Sequence, residues 1–289
     1  MSVKIGIIGG SGFYQMEGLT NLEEIEVDTP FGKPSGLIAL GTLEGKRVAF
    51  LPRHGKGHRI IPSELNVRAN IYALKSLGVE WVISVNAVGS LKEEIAPRDF
   101  VIPDQIVDWS KNRIDTFFGG GLAVHISMAE PFCPVLSEIL YDGAKAAGTT
   151  VHKGGTYICV QGPHFSTKAE SNLYRSLGFD VIGMTAGTEA KLAREAELCY
   201  ASLSCSTDYD CWHAEHDDVT AEIILANLFA NVDVAKKSIG EVVRRIPDKR
   251  EGCNCSNALE KAFATNFDLI PKETKEKLSL IIGKYINKR

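Results

Sequence analysis

Short apolar runs rich in β-branched residues alternate along this chain with longer amphipathic segments. Two of the short runs, residues 82–85 and 157–160, are almost continuously apolar, as is typical of strands covered on both faces. One longer segment opens at Pro62 and stops at Gly78, which are common helix start and stop residues. The alternation predicts an α/β fold in which helices flank a central sheet, parallel or mixed.

The pattern can be divided into individual elements. Strands are predicted at residues 4–9, 36–43, 47–51, 81–86, 99–107, 156–161, 180–184 and 198–204. Helices are predicted at residues 62–77, 134–147, 167–177, 189–197, 220–244, 256–264 and 272–286. No repeat or Pro/Gly-rich linker interrupts them, so we expect one domain over residues 1–250. Residues 251–289 are expected to form a helical tail that packs on the main body or on a neighbouring subunit, through the apolar stripe Leu278, Ile281, Ile282, Tyr285 and Ile286.

Composition and charge narrow the possible partners. The chain has 289 residues and a net charge of −4, so it lacks the pervasive basic field that nucleic-acid binding requires. No stretch approaches the roughly 18 apolar residues of a membrane span. The first residues also lack the parts of a signal peptide. We therefore expect a cytoplasmic protein that binds neither nucleic acid nor membrane.

Seven cysteines are spread along the chain. Because no pair of C-x-x-C motifs with histidine partners occurs, the sequence predicts no metal site. Cys253 and Cys255 form a C-x-C pair that could close a local disulfide, cross-link to another segment, or remain reduced.

Three segments that follow predicted strands carry groups that could bind an anion. Residues 9–12 are a glycine turn with the hydroxyl of Ser11, which is either an amide-lined anion site or a simple tight turn. Residues 53–59 hold five potential cations, among them Arg53 and His54. Asn86 lies at the end of a third strand and is a weaker indication.

Two further segments suit a heterocyclic base. Phe165 precedes a predicted helix and could stack on a ring, whereas Ser166 or Thr167 is more simply a helix cap. Asp208 and Asp210 flank Tyr209 after an apolar strand. Two carboxylates at this spacing could accept from an amino group and deliver a proton to a purine nitrogen, although such a pair is commonly only a turn.

Taken together, the motifs resemble the methylthioadenosine phosphorylases of the trimeric purine nucleoside phosphorylase family. The resemblance spans roughly residues 3–245 and rests on the segments 6–12, 28–35, 52–55, 89–91, 128–134, 165–171, 183–185 and 207–210. It implies a single-domain nucleoside phosphorylase fold with a central mixed sheet. It also implies phosphorolysis of S-methyl-5′-thioadenosine to adenine and 5-methylthioribose 1-phosphate, in methionine and purine salvage.

The resemblance also implies roles for individual residues. The phosphate site would comprise Ser11, Arg53, His54, Ala87 and Thr185, with Asn86 standing where a Thr or Ser is common. Met184 would meet the ribose, Phe165 would stack on adenine, and the segment Asp208, Tyr209 and Asp210 would bind the base, with the two carboxylates acting in catalysis. Ser166 and Ala221 would set specificity, and the methylthio group would lie among His125, Ala221, Ile224 and Leu225.

The resemblance implies no cofactor, and inorganic phosphate is a co-substrate. It also implies a homotrimer or a dimer of trimers. Thr188 stands where the family commonly has Pro, which we expect to alter local stability and not chemistry. Two other functions stay open at this point. One is a phosphorylase of 6-oxopurine nucleosides, and the other is a nucleoside or phosphate binder without catalysis.

Overall fold

The computed structural model describes residues 3–10, 18–213 and 220–286, except for the side chains of residues 221, 223–225 and 228–231 within one helix. The described strands form a single mixed sheet. They are β1 (Ile5–Gly9), β2 (Thr20–Ile25), β3 (Ile38–Leu43), β4 (Lys46–Pro52), β5 (Trp81–Ser90), β6 (Phe100–Ile102), β7 (Gln105–Asp108), β8 (Val151–Lys153), β9 (Thr156–Cys159), β10 (Val181–Gly183) and β11 (Cys199–Asp208). The helices are α1 (Val67–Ser76), α2 (Pro134–Ala146), α3 (Lys168–Ser176), α4 (Ala186–Glu195), α5 (Ala221–Arg245), α6 (Lys272–Lys277) and α7 (Ser279–Ile286).

Strand β5 lies at the centre of the sheet and pairs with three other strands. It runs parallel to β1 on one side and parallel to β11 on the other. The pairing with β1 ends at Ser84, and β10 joins β5 in antiparallel orientation at Gly89. Strands β1 and β10 therefore pair with the same side of β5 and are separated there by a gap at residues 85–88 of β5.

Both faces of the sheet are covered by apolar side chains, which agrees with the apolar runs of its central strands. One core cluster contains Leu140 of α2 and Ile239 of α5. A second core cluster contains Ile71 of α1 and Ala193 of α4, together with Ile282 from the tail. Among the described residues, no helix is long and apolar enough to cross a bilayer.

Several predicted elements differ from the structure. The single strand predicted at residues 99–107 is two strands, β6 and β7, interrupted at Pro103, which has no N–H to donate to a ladder. Strand β2 was not predicted because its residues are mostly polar and exposed, as is common for an edge strand. The short strand β8 was also not predicted.

The predicted helix at residues 256–264 is wrong. The segment begins with one 3-10 turn at Cys255–Asn257, and Phe263 then forms an isolated bridge with Val124. The N–H of Ala264 donates to the carbonyl of Ala123 at 3.0 Å. Pairing with a distant segment thus replaces the local helix that the sequence pattern indicated.

Candidate active site

The gap in the pairing of β5 opens the centre of the sheet. Ala87 lies in this gap and is exposed, although the strand on either side of it is largely buried. The carbonyl of Val85, also in the gap, accepts a hydrogen bond from Nη1 of Arg53 at 2.8 Å. The gap therefore leaves strand backbone accessible beside a cation.

Arg53 follows β4 and is held on several sides. Its Nε donates to Oε1 of Glu189 at 2.5 Å, and its Nη2 donates to Oγ of Ser84 at 2.7 Å. Nη2 also reaches Oε2 of Glu189 at 3.2 Å. With the bond to Val85, four of the five guanidinium N–H groups are used within the described residues. One N–H on Nη1 remains for a ligand.

Arg53 and Glu189 are buried, at 4% and 2% exposure. Burial favours the neutral carboxylic acid, but the Arg53 guanidinium outweighs it and lowers the pKa of Glu189 below its usual value. The pair is therefore ionised. Glu189 thus fixes the positively charged guanidinium of Arg53 in one orientation at the edge of the gap.

Asn86 belongs to a buried polar network beneath the gap. Its Nδ2 donates to Oγ of Ser202 at 2.8 Å and to Oγ of Ser84 at 3.0 Å, while its Oδ1 accepts from Oγ1 of Thr185 at 3.1 Å. The amide nitrogen thus points into the network and not into the gap. Asn86 can influence a ligand chiefly through Thr185.

His54 is held by one ring nitrogen. Its Nδ1 donates to the carbonyl of Ile60 at 2.7 Å, and its ring stacks on that of His58 with centroids 4.2 Å apart. Burial and the neighbouring Arg53 lower the pKa of His54 to about 4. At neutral pH the imidazole is therefore uncharged, and Nε2 carries a lone pair that can accept a proton or a hydrogen bond.

Asp208 ends β11 and lies in the acidic loop, residues 207–212, whose backbone it holds. Its Oδ2 accepts from Oγ1 of Thr207 at 2.7 Å, and its Oδ1 accepts from the N–H of Asp210 at 2.8 Å. Burial raises the pKa of Asp208 to about 6.

Asp210 has a positive φ of 49° and only 6% exposure. Its Oδ2 is buried without a hydrogen-bond partner among the described residues. Burial raises the pKa of Asp210 above its usual value. A buried carboxyl group with a raised pKa, one of whose oxygens has no hydrogen-bond partner, is suited to proton transfer or to ligand binding.

Gly89 brings the two carboxylates close to the gap. A Cβ at this position would lie 2.9 Å from Oδ1 of Asp208 and 3.4 Å from Cβ of Asp210. The acidic loop therefore packs against β5 just after the gap, where a side chain would interfere.

The segment of Phe165 and Ser166 lies beside the acidic loop. Sγ of Cys211 donates to the carbonyl of Ser166 at 3.2 Å, and the Phe165 ring is 42% exposed. Thr167 forms a complete capping box with Glu170 at the start of α3. Since Thr167 is the cap, Ser166 is available for another role.

Met184 and the loop before Phe165 are joined by Arg113. The guanidinium of Arg113 donates to the carbonyl of Met184 and, at 2.6 Å, to that of Gln161.

The structure thus arranges Arg53, His54 and the Asn86–Thr185 pair around the gap. The two carboxylates are packed against Gly89 and are linked through Cys211 to Ser166.

Of the remaining predicted site residues, His125 and Tyr209 are described and contact other segments. Ser11 lies outside the described residues, as do the side chains of Ala221, Ile224 and Leu225. His125 is exposed, and its N–H donates to the tail carbonyl of Ala262 at 2.8 Å. The Tyr209 hydroxyl donates to the carbonyl of Glu93 at 3.2 Å, and its ring stacks on His213.

Three residues of the site were not assigned a role from sequence. Glu189 and Ser84 orient Arg53, and Arg113 holds the Met184 loop. Glu189 lies four residues after Thr185, just beyond a segment that carries the resemblance. That position is a signal that could have identified it, whereas nothing in the sequence distinguishes Arg113 from other loop arginines.

The chain was compared with known proteins. The family model of the phosphorylase superfamily matches residues 4–246. This chain belongs to the phosphorylase superfamily. A relative named S-methyl-5′-thioadenosine phosphorylase, from Koribacter versatilis, is 55% identical over 289 residues, which cover 100% of this chain and 99% of the relative.

Solved structures of the superfamily resemble this chain closely. A methylthioadenosine phosphorylase from an antarctic soil metagenomic library has a TM-score of 0.93 and 47% identity, covering 97% of this chain and 99% of that chain. A variant of the adenosine/methylthioadenosine phosphorylase of Schistosoma mansoni, in complex with methylthioadenosine, has a TM-score of 0.79 and 34% identity. Here the coverage is 97% of this chain and 98% of that chain.

Proposed function

We infer that this chain cleaves S-methyl-5′-thioadenosine with inorganic phosphate, releasing adenine and 5-methylthioribose 1-phosphate. The observation that carries this inference is the placement of Asp210, a buried carboxylate with an unpartnered oxygen, beside a gap that faces the fixed charge of Arg53. One group suits protonation of a leaving base and the other suits an anionic nucleophile. The relatives named above act on this same substrate by name.

Phosphate is proposed to bind in the gap of β5. The remaining N–H of Arg53 would contact one oxygen, and Ala87, Thr185 and Ser11 would line the rest of the site. Neutral His54 would accept through Nε2 from a P–OH group of the bound phosphate. Asn86 would position the Thr185 hydroxyl.

We propose that Asp208 and Asp210 have different roles toward the purine base. A departing purine develops negative charge unless its ring is protonated, while the ribosyl centre gains oxocarbenium character. Asp210 would act as the protonated carboxylic acid, which its raised pKa favours, delivering its proton from Oδ2 to N7 and becoming the carboxylate. Asp208 would accept from the 6-amino group while it holds the backbone of Asp210.

This arrangement favours adenine over a 6-oxopurine. At neutral pH, above its pKa of about 6, Asp208 is ionised and would oppose the O6 acceptor of a 6-oxopurine. A mismatched buried polar pair costs about 1–3 kcal/mol. We therefore propose methylthioadenosine as a better substrate than methylthioinosine.

The rest of the pocket is also a proposal. Met184 and Tyr209 would contact the nucleoside, Phe165 would stack on adenine, and Ser166 and Ala221 would set specificity. The methylthio group would lie near Ile224 and Leu225. Because His125 is joined to the tail and not to the carboxylates, it would enter the pocket from a neighbouring subunit of a trimer or a dimer of trimers. A role in methionine and purine salvage and a cytoplasmic location stay predictions.

The test is adenine release from methylthioadenosine, measured with and without phosphate, and repeated with adenosine and methylthioinosine. We expect phosphate-dependent release and a kcat about 100-fold lower for Asp210→Asn, because Asn keeps the shape but cannot donate the acid proton. Asp142→Asn on the exposed face of α2 is the matched control and should keep wild-type activity.

Two results would contradict the proposal. Absence of adenine would indicate a binder, and release independent of phosphate would indicate hydrolysis. A loss smaller than about threefold in Asp210→Asn would remove its role as general acid.

A further inference from the structure

A group of four thiols lies outside the candidate active site. The thiol cluster consists of Cys133, Cys199, Cys253 and Cys255, whose sulfur atoms all lie within 4.8 Å of one another. Cys133 precedes α2, Cys199 begins β11, and the other two follow α5. All four of these cysteines are free thiols. Three separate parts of the chain thus bring four soft ligands to one point.

The spacing of these sulfur atoms fits a tetrahedral metal site. A zinc ion bound to four thiolates at about 2.3 Å places its ligands about 3.8 Å apart, from tetrahedral geometry. The sulfur atoms of Cys199 and Cys253 are 3.6 Å apart, and the whole cluster lies within the limit given above. Only small side-chain adjustments would be needed to bind the ion.

The surroundings suit a buried structural metal. Cys133, Cys199 and Cys255 are at most 1% exposed and belong to the apolar core on the α2 side. Cys253 is half-buried, which provides a route of entry. An apolar shell of this kind excludes water from a metal site.

Positive groups compensate the charge that such a site would carry. Zinc with four thiolates has a net charge of −2, and Nη1 of Arg194 lies 3.7 Å from the sulfur of Cys255. Cys133 occupies the N-cap position of α2, where the helix dipole favours negative charge. The two features act on different members of the cluster.

We propose that the thiol cluster binds one zinc ion as a tetrathiolate site. On binding, each thiol gives its proton to solvent and its sulfur bonds to the metal, with no change of oxidation state. The ligand set is closed, with no open position for a substrate, so the ion is structural. The site contains no C-x-x-C motif, because Cys133 and Cys199 come from distant parts of the sequence and Cys253 and Cys255 are separated by a single residue.

Zinc would fasten the tail to the main body. From Cys255 the chain continues to Ala262, whose carbonyl accepts from the N–H of His125, and to Thr265, whose Oγ1 accepts from the N–H of Ala123 at 2.8 Å. The metal would therefore brace the segment that carries His125.

The test is metal content of the full-length protein, purified without a tag, reduced under anaerobic conditions, incubated with ZnCl₂ and desalted. We expect one zinc ion per chain by elemental analysis for the wild type. Cys205→Ser, which alters a buried thiol of β11 outside the cluster, should retain it. Cys253→Ser should lose stoichiometric zinc.

A second measurement needs no variant. Replacing zinc with Co²⁺ should give the sulfur-to-metal charge transfer and the intense visible bands of a tetrahedral thiolate site. Reduced wild-type protein that retains no zinc would overturn the proposal, whether its thiols stay free or close into disulfides on reoxidation. A weak octahedral cobalt spectrum would also overturn it. Neither readout depends on nucleoside cleavage, so the outcome is separate from that of the proposed activity.

Discussion

At the scale of single residues, the site depends on how Arg53 is held. The guanidinium contacts Glu189, Ser84 and Val85 through four of its five N–H groups, which leaves one N–H for a ligand. Removing Arg53 entirely would leave Glu189 buried without a counter-charge, at a cost of about 3–5 kcal/mol. A substitution that keeps the charge is therefore needed to separate folding from binding.

Arg53→Lys keeps the charge but loses the planar fork. We expect the KM for phosphate to rise by about tenfold or more, since one charge-assisted hydrogen bond contributes about 1.5–3 kcal/mol. The KM for the nucleoside should change less. Initial rates with each substrate varied in turn provide the measurement, and Arg244→Lys, on an exposed residue, is the control. A rise confined to the nucleoside KM would place phosphate elsewhere.

The sequence predicted some of these residues better than others. Arg53 and Asp210 were found because polar residues after apolar strands lie at the edge where α/β proteins bind ligands. The contact between Arg53 and Glu189 was not predictable, because it joins positions 136 apart in the chain. Likewise, the turning of the Asn86 amide away from the gap depends on Ser202, which only the pairing of β5 with β11 brings near.

At the scale of elements, Glu195 in the last turn of α4 holds a loop. Its carboxylate accepts from Oγ1 of Thr116 and from the N–H of Phe117, both at 2.7 Å. Burial, opposed by these two bonds, raises the pKa of Glu195 to about 7. The folded protein therefore binds this proton more tightly than the unfolded chain does.

This difference predicts a pH dependence of stability. The contribution is fully present below the unfolded pKa of 4.5 and is lost as pH rises through the folded pKa of about 7. Its size is on the order of 3 kcal/mol. In Glu195→Gln the amide oxygen can accept from the N–H of Phe117 and the amide nitrogen can donate to Oγ1 of Thr116, and the side chain cannot ionise, so the Tm of the variant minus that of the wild type should increase from about pH 5 to about pH 8.

Thermal unfolding across this range provides the measurement, with the exposed Glu273→Gln as control. A constant difference in Tm between the Glu195→Gln variant and the wild type would show that Glu195 titrates normally.

At the scale of the whole molecule, the tail and the main body share one core. Leu259, Ile270 and Ile282 belong to the same apolar cluster as Leu51 and Val82 of the central strands. Glu197, before β11, pairs with Lys284 at 2.6 Å and accepts from the N–H of Leu259 at 3.1 Å. The apolar stripe indicated that the tail packs on something, but which surface it covers depends on contacts between residues far apart in the sequence.

Because the tail contributes to this core, we expect it to unfold together with the sheet. Ile282 is fully buried, so Ile282→Ala should lower the free energy of unfolding by about 2–5 kcal/mol. Leu280→Ala, at a position that is 37% exposed, should cost much less. Urea unfolding at fixed protein concentration, followed by tryptophan fluorescence, reports on the main body, because Trp81, Trp109 and Trp212 all lie within residues 1–250. A shift of this midpoint in the Ile282→Ala variant requires a cooperative tail, whereas an unchanged midpoint would mean that residues 251–289 fold as a separate unit.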